Sequence, residues 1–358
     1  MVQNKHATLT NTLLSQWQSG GLLSDALLPL SWVTRLVVAA RAALYLLGLK
    51  QPNRMPVPVI VVGNIFVGGT GKTPFVLSLV AALRERGWQP GIVSRGYGVT
   101  VGHEPRHGYG AQAQAAYLGD EPSMLASAAP IAIHPDRTRA ARCLLQQYPE
   151  ITVIIADDGL QHRALGRDIE IAVQDSRGIG NGRLLPAGPL REPASRLNSV
   201  DYLVSNIPAD EPVIDQQAHT RASQGQREAR RVTMQLLPAR VVHLLSGQSL
   251  SPDQWRAQYR GKRIAAIAGI GHPPRFFRTL AYTGIVAQQT IAFADHHAYS
   301  RDEIQAIDAD LILMTAKDAA KCLTMQDDRL WSLEVTPRFS DPDFFDDIAK
   351  KLKSLPVY

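Results

Sequence analysis

The chain has only two cysteines in 358 residues, Cys143 and Cys322, far apart and in no metal-ligand spacing. Their scarcity excludes a disulfide scaffold and a cysteine zinc centre, and it fits a reducing compartment. Also missing is an uninterrupted apolar run of about 20 residues, the length a bilayer-spanning helix needs. The most apolar stretch, residues 27–50 (LLPLSWVTRLVVAARAALYLLGLK), is broken by Arg35 and Arg41. The polar opening of the chain has neither the basic start nor the apolar centre of a secretory signal. The net charge is +6, yet there is no dense Lys/Arg run and no aromatic-plus-basic module. Nucleic acid is therefore not the expected partner.

What is present is an ordinary globular composition, 45% hydrophobic and 20% charged, in a chain long enough for two domains. The basic balance suits an anionic partner such as a nucleotide, a phosphorylated substrate or an acidic membrane face. Residues 27–50 read as a helix lying in a membrane interface, with Trp32 and Tyr45 at headgroup level and both arginines snorkelling. The plainer alternative is a helix packed on the domain.

Residues 56–62 (PVPVIVV) form a short β-branched run, as a buried parallel strand would. A helix is predicted over 73–86, with Pro74 at its first turn and Phe75, Leu79 and Leu83 on one stripe. Residues 91–94 and 151–157 are further strands, and the glycine-rich 98–117 reads as a flap or hairpin. Hydrophobic periodicity fades over 208–231 and then resumes. Strands are expected at 263–271, 290–295 and 309–315, and helices at 273–284 and 300–307. Strand, glycine loop, helix and strand open a doubly wound α/β domain. The expectation is thus a P-loop NTPase-like α/β protein of two α/β/α sandwich domains with an N-terminal membrane-associated helix. Its parts are an N-terminal segment 1–50, a nucleotide-binding domain 51–207, a linker 208–232 and a smaller α/β domain 233–358.

The loop GGTGKT, Gly68 to Thr73, joins the first strand to its helix. Gly68, Gly69, Thr70 and Gly71 let successive backbone N–H groups turn toward a phosphate, which the helix dipole also favours. Lys72 would reach the β- and γ-phosphates and the Thr73 hydroxyl would ligate Mg²⁺. Phe66 stands where the usual eight-residue loop begins with glycine. VGGTGKT is similar to the loop of the partitioning and metallochaperone ATPases, but Val67 replaces their signature lysine. A partner-binding switch NTPase of that kind is the alternative reading.

Asp157 and Asp158 end an apolar strand, and two adjacent acids there are costly without a cation, so they are candidate Mg²⁺ holders. Asp120 and Glu121 precede Pro122 and a helix, where the plain reading of Asp120 is an N-cap. Asp295, His296 and His297 lie in the loop after a strand, and Ser300 with Glu303 has capping-box spacing. The clusters at 94–98, 180–193 and 315–321 are polar. The second reads as an ordered substrate loop, and Asn64, Arg95, Arg183 and Arg191 are candidate substrate contacts.

GNIFVGGTGKTP, SRGYG, LGDEP, ADDGLQHR, GNGRLLPAGPLREP, ADHHAYS and TAKDAAK occur here in the order found in one family. From about residue 15 to 340 the chain resembles the tetraacyldisaccharide 4′-kinases of lipid A biosynthesis in Gram-negative bacteria. The resemblance implies transfer of phosphate from ATP, with Mg²⁺, to the 4′-hydroxyl of an acylated glucosamine disaccharide 1-phosphate lipid. It implies that Asp120 is the base on that hydroxyl and that His296 pairs with it, His297 not being carried over. It matches Asp157 and Asp158 to the acid pair, Glu192 to an acid near the metal, and Gln161 and His162 to residues beside the nucleotide. It also implies a peripheral, monomeric protein on the cytoplasmic face of the inner membrane.

Overall fold

The computed structural model describes residues 15–110, 113–213, 229–295 and 297–356. The expected β-branched run becomes β1 (Val59–Gly63), buried at every position. Alongside it in the first half lie β2 (Pro90–Ser94), β3 (Arg106–Gly108), β4 (Ile131–Ile133) and β5 (Val153–Asp157). Then follow β6 (Ile169–Asp175) and β7 (Tyr202–Ile207). Among the described residues of 98–117, expected as a flap or hairpin, no strand pairs with another of the same segment. Their strand β3 runs antiparallel to β4 at the sheet edge, and a helical turn covers Ala115–Leu118.

The second half holds β8 (Arg230–His243), β9 (Ser249–Leu250), β10 (Ile264–Ala268) and β11 (Gln289–Ala292). It closes with β12 (Leu311–Thr315) and β13 (Leu330–Phe339). Among the described residues all thirteen strands join one sheet in the order β11-β10-β12-β13-β8-β7-β6-β1-β5-β2-β4-β3, with β9 on β8. The region expected as a linker thus ends in the sheet, since Arg230 already pairs with Tyr202. Residues 214–228 of that linker lie outside the described residues.

Strand direction decides where a site can form. β8 pairs parallel with β7 over Arg230–Gln235 and then continues past it to pair antiparallel with β13. β13 begins parallel to β12 and continues past it in turn. Each strand of this ribbon leaves its set in the direction that set runs, and the two run oppositely. The carboxyl ends of the two parallel sets therefore face each other across the ribbon, and ligands of α/β sheets bind at such ends.

The helix Lys72–Glu85 buries Phe75, Val76, Leu79, Val80 and Leu83 against the sheet, each worth roughly 1.5–3 kcal/mol of transfer free energy. The last helix, Phe344–Lys353, falls within the expected unit 233–358. Its Phe344, Ile348 and Leu352 join Phe75 and β1 in one core cluster, so the chain's end returns to the first half. The apolar 27–50 stretch forms the helix Leu28–Leu46. Its Trp32, Val33, Leu36 and Val37 lie open to solvent, Trp32 at 68% and Leu36 at 70% exposure. Among the described residues no helix is long and apolar enough to cross a membrane.

Candidate active site

A cleft of about 1170 Å³ opens between the facing edges. One wall comes from the loop after β1, the ends of β2 and β5, and the helix Asp120–Ala126; the other carries Gly271, His272, Arg275, Asp295 and Lys317. Leu236 of β8 and Leu333–Pro337 of β13 line it between them.

The loop after β1 owes its shape to packing as well as to glycine. Phe66 is buried with Ile65, Leu184 and Leu190 and makes an antiparallel bridge to Leu190. The Arg177 guanidinium lies 4.4 Å from the Phe66 ring centroid, is forked onto the Asp175 carboxylate, and donates to the Gly69 carbonyl at 2.9 Å. Val67 N–H donates to the Pro189 carbonyl at 2.9 Å. The residue that looked out of place is thus the loop's anchor. Asn64, expected as a substrate contact, is buried within the loop, its amide donating to Gly68 O (3.1 Å) and Thr70 Oγ1 (3.2 Å). Gly71 starts the helix at φ 94°, and a Cβ there would sit 2.0 Å from Asn206 Nδ2. Asn206, at the end of β7, donates to Thr70 O at 2.9 Å and accepts from Arg275 of the opposite wall.

β1 and β5 are neighbours with Val62 opposite Asp157, which sets the acid pair directly beside the loop. Asp157 is buried and accepts from Ser94 Oγ at 3.1 Å. Burial, and then the Asp158 charge, push its carboxyl up to about 6. Asp158 sits at φ 49°, the one non-glycine residue in the left-handed region among those described. Its carboxylate is 3.4 Å from Lys72 Nζ and accepts from Arg191 at 2.8 Å. Burial alone would raise that carboxyl, but Lys72 and Arg191 together hold it below the usual range. Neighbouring acids are thereby driven apart by environment.

Gln161 donates to Asn64 O (3.0 Å) and to Glu192 (2.9 Å), and Arg163 also meets Glu192. Glu192 is buried among these partners and is not among the residues lining the cleft. His162 does line it; burial, and then Arg137, press its pKa down to about 4. Arg95 and Arg191 line the cleft, whereas Arg183 ion-pairs with Asp25 and so ties the 180–193 loop to the N-terminal helices. Ser31 makes the same tie, donating to Leu184 O (2.8 Å) and accepting from Ala187 N (2.9 Å).

Asp120 is the first residue of its helix, and Gly119 occupies the cap position with no side-chain cap bond, which corrects the capping reading. His296 lies outside the described residues. His297 stacks on Phe293 and pairs with Glu303, a packing arrangement, and the Ser300/Glu303 capping box is formed. Sequence reasoning missed several cleft residues. Arg137 is buried and donates to Asp158 O at 3.2 Å, and its only local sign is the Asp136 N-cap before it. Arg41, assigned by sequence to the membrane interface, lines the cleft.

The family model for LpxK, tetraacyldisaccharide-1-P 4'-kinase, matches residues 23–353. A tetraacyldisaccharide 4'-kinase of Bordetella parapertussis is 50% identical over 353 residues, 98% of this chain and 99% of that one. Its counterpart in Chromobacterium violaceum is 43% identical over 343 residues, covering 93% and 95%. Among solved structures, an "apo" form of LpxK from Aquifex aeolicus in complex with ATP superposes with a TM-score of 0.75. It is 27% identical and covers 92% of this chain and 99% of that one.

Proposed function

The chain belongs to the tetraacyldisaccharide-1-P 4'-kinase family, and on that premise we propose that it moves the γ-phosphoryl group of ATP to the 4′-hydroxyl of an acylated glucosamine disaccharide 1-phosphate. The observation that carries the reading is the opposition of two walls across one cleft. Lys72 and the acid pair stand on the wall that also bears the helix starting at Asp120, and Asp295 stands opposite.

In this reading the backbone N–H groups of Gly68–Thr73 cradle the phosphates, and Lys72 offsets their charge. Thr73, Asp157 and Asp158 are hard oxygen donors of the kind that hold Mg²⁺ together with phosphate oxygens. The raised carboxyl of Asp157 fits, because a buried acid beside a second acid gains most from a cation. Mg²⁺, when bound, neutralises charge developing on the transferred group. Glu192 acts as the anchor of Gln161 and not as a ligand, since Gln161 and Arg163 already occupy it. Asp120, paired with His296, takes the proton of the sugar hydroxyl, whose own pKa is far too high for unaided attack. Arg95, Arg137 and Arg191 supply positive charge for an anionic acceptor. The apolar face of helix 28–46 rests on the cytoplasmic face of the inner membrane, where the acceptor's acyl chains are held.

Purified protein with ATP, Mg²⁺ and the acylated disaccharide 1-phosphate in detergent should yield the 4′-phosphorylated lipid. Absence of product across detergents would overturn the assignment. Leu36→Glu should weaken flotation with acidic vesicles while leaving turnover in detergent near that of the parent protein; unchanged flotation would remove the membrane role of this helix.

A further inference from the structure

The TAKDAAK segment has no part in the proposed chemistry, yet it reaches the helix that starts at Asp120. Thr315 caps the helix Ala316–Cys322, accepting from Asp318 N–H at 3.1 Å. The fully buried Asp318 carboxylate accepts from Gly269 N (3.0 Å), Thr315 Oγ1 (2.7 Å) and Lys321 Nζ (3.1 Å). That network fixes the start of the helix on the second wall. From there Lys317 extends into the cleft with its side chain only 16% exposed. Its ammonium donates to Glu121 Oε1 at 2.8 Å, on the first wall, and lies 3.4 Å from Asp295 Oδ1 on its own.

Glu121 is the residue after Asp120, in the first turn of the same helix. A charge-assisted bond to Glu121 therefore restrains the turn that carries the proposed base, and helix 316–322 packs directly against helix 120–126. Gly271 is the other close approach: a Cβ there would lie 3.0 Å from Gly69 N and 3.3 Å from Asp295 Oδ2. The two walls meet through these contacts and through Arg275 on Asn206.

We propose that Lys317 is a positioning residue that holds Asp120 in register with the opposite wall by bridging Glu121 and Asp295. The inference rests on the assignment of Asp120 as base and adds the group that orients it. A displacement of about 1 Å at a reacting group costs up to about a hundredfold in rate. Lys317→Met should lower kcat between about tenfold and a hundredfold while KM for ATP stays within about twofold. Lys317→Arg should recover most of the loss, because the guanidinium can still bridge two carboxylates. Glu121→Gln should reproduce the kcat loss, and adding it to Lys317→Met should cost little more.

Amide hydrogen exchange gives a reading independent of turnover, and of whether the acceptor is right. Exchange within helix 120–126 should quicken in Lys317→Met. Unchanged exchange, a parental kcat, or a loss confined to KM for ATP would each overturn the inference. A parent protein that makes no lipid product would instead overturn the functional assignment, and an active Asp120→Asn the base assignment. The exchange experiment decides the lysine's role in either event.

Discussion

The two walls of the cleft are built differently. The first is wired from within: Asn64, Arg177 and Asn206 bond the carbonyls and hydroxyl of the loop, and Lys72 and Arg191 bracket Asp158. The second wall is fixed behind by the buried Asp318, and Lys317, Arg275 and Gly271 carry it across to its partner. A wall wired from within can bind nucleotide as a unit. A wall that works through contacts across the gap contributes when the gap is closed. The difference suits a kinase, for which holding ATP without a closed cleft limits transfer to water.

The sharpest division of labour should show at Asp120. Asp120→Asn should leave melting temperature and ATP affinity near the parental values and cut turnover at least about a hundredfold. Early melting with unchanged activity per folded molecule would return Asp120 to a structural role.

Two glycines test the walls against each other. Gly71→Ala forces an L side chain to φ 94° and drives a Cβ into the Asn206 amide at 2.0 Å. It should cost about 2 kcal/mol or more of stability and weaken ATP binding about tenfold. Gly271→Ala meets Gly69 N at 3.0 Å with no left-handed strain, so the walls need move apart only slightly. It should lower kcat several-fold with ATP affinity intact. Equal effects of the two changes on nucleotide binding would erase the proposed distinction.

The acid pair predicts a pH dependence. Asp157 has its carboxyl raised from 3.8 to about 6, so the folded state binds that proton more tightly than the unfolded chain does. The stability this contributes is complete below about 3.8 and is lost as pH rises through about 6. Asp157→Asn should therefore stabilise the nucleotide-free protein at pH 7.5, on the order of 2 kcal/mol, and flatten stability between pH 4 and 6. Thermal melts at several pH values measure it; an unchanged slope would mean the carboxyl is not strained by burial. In the parent protein, affinity for Mg²⁺ with ATP should climb over the same range as the proton leaves.

The smallest effect is expected at Asp25, half exposed and paired with Arg183. Asp25→Asn should cost less than about 1 kcal/mol, since solvent screens the pair and Ser24 and Ser31 also hold this junction. A larger loss would make the N-terminal helices part of the first wall's wiring.

Much of the first wall was legible because its signals are local. Strand β1, the glycine loop and the helix after it follow within 27 residues, and each is signalled by its own residue types, branched, small or periodic. The same holds for the Ser300 capping box and the alternation of strands and helices in the second half. Asn64 and Arg183, expected as substrate contacts, are both bonded within the protein. A polar residue in a motif can serve the loop or the ligand, and the sequence does not record which way it is bonded. Lys317 was missed because its partner Glu121 lies 196 residues away along the chain, and Arg137 because the Asp158 carbonyl it meets lies 21 residues on, beyond the reach of any local pattern.

By itself, then, the sequence determined the glycine loop, the acid pair beside it and the family, because backbone conformation, helix initiation and motif order are written in neighbouring residues. Tertiary structure alone decided that Phe66 anchors the loop, that Glu192 is occupied by Gln161 and Arg163, and that the last helix packs on the first half. It also decided that the two parallel sets face each other, since that follows from β8 and β13 running antiparallel past their own neighbours. Direction and long-range charge pairing are properties of the closed sheet, and no local stretch of residues carries them.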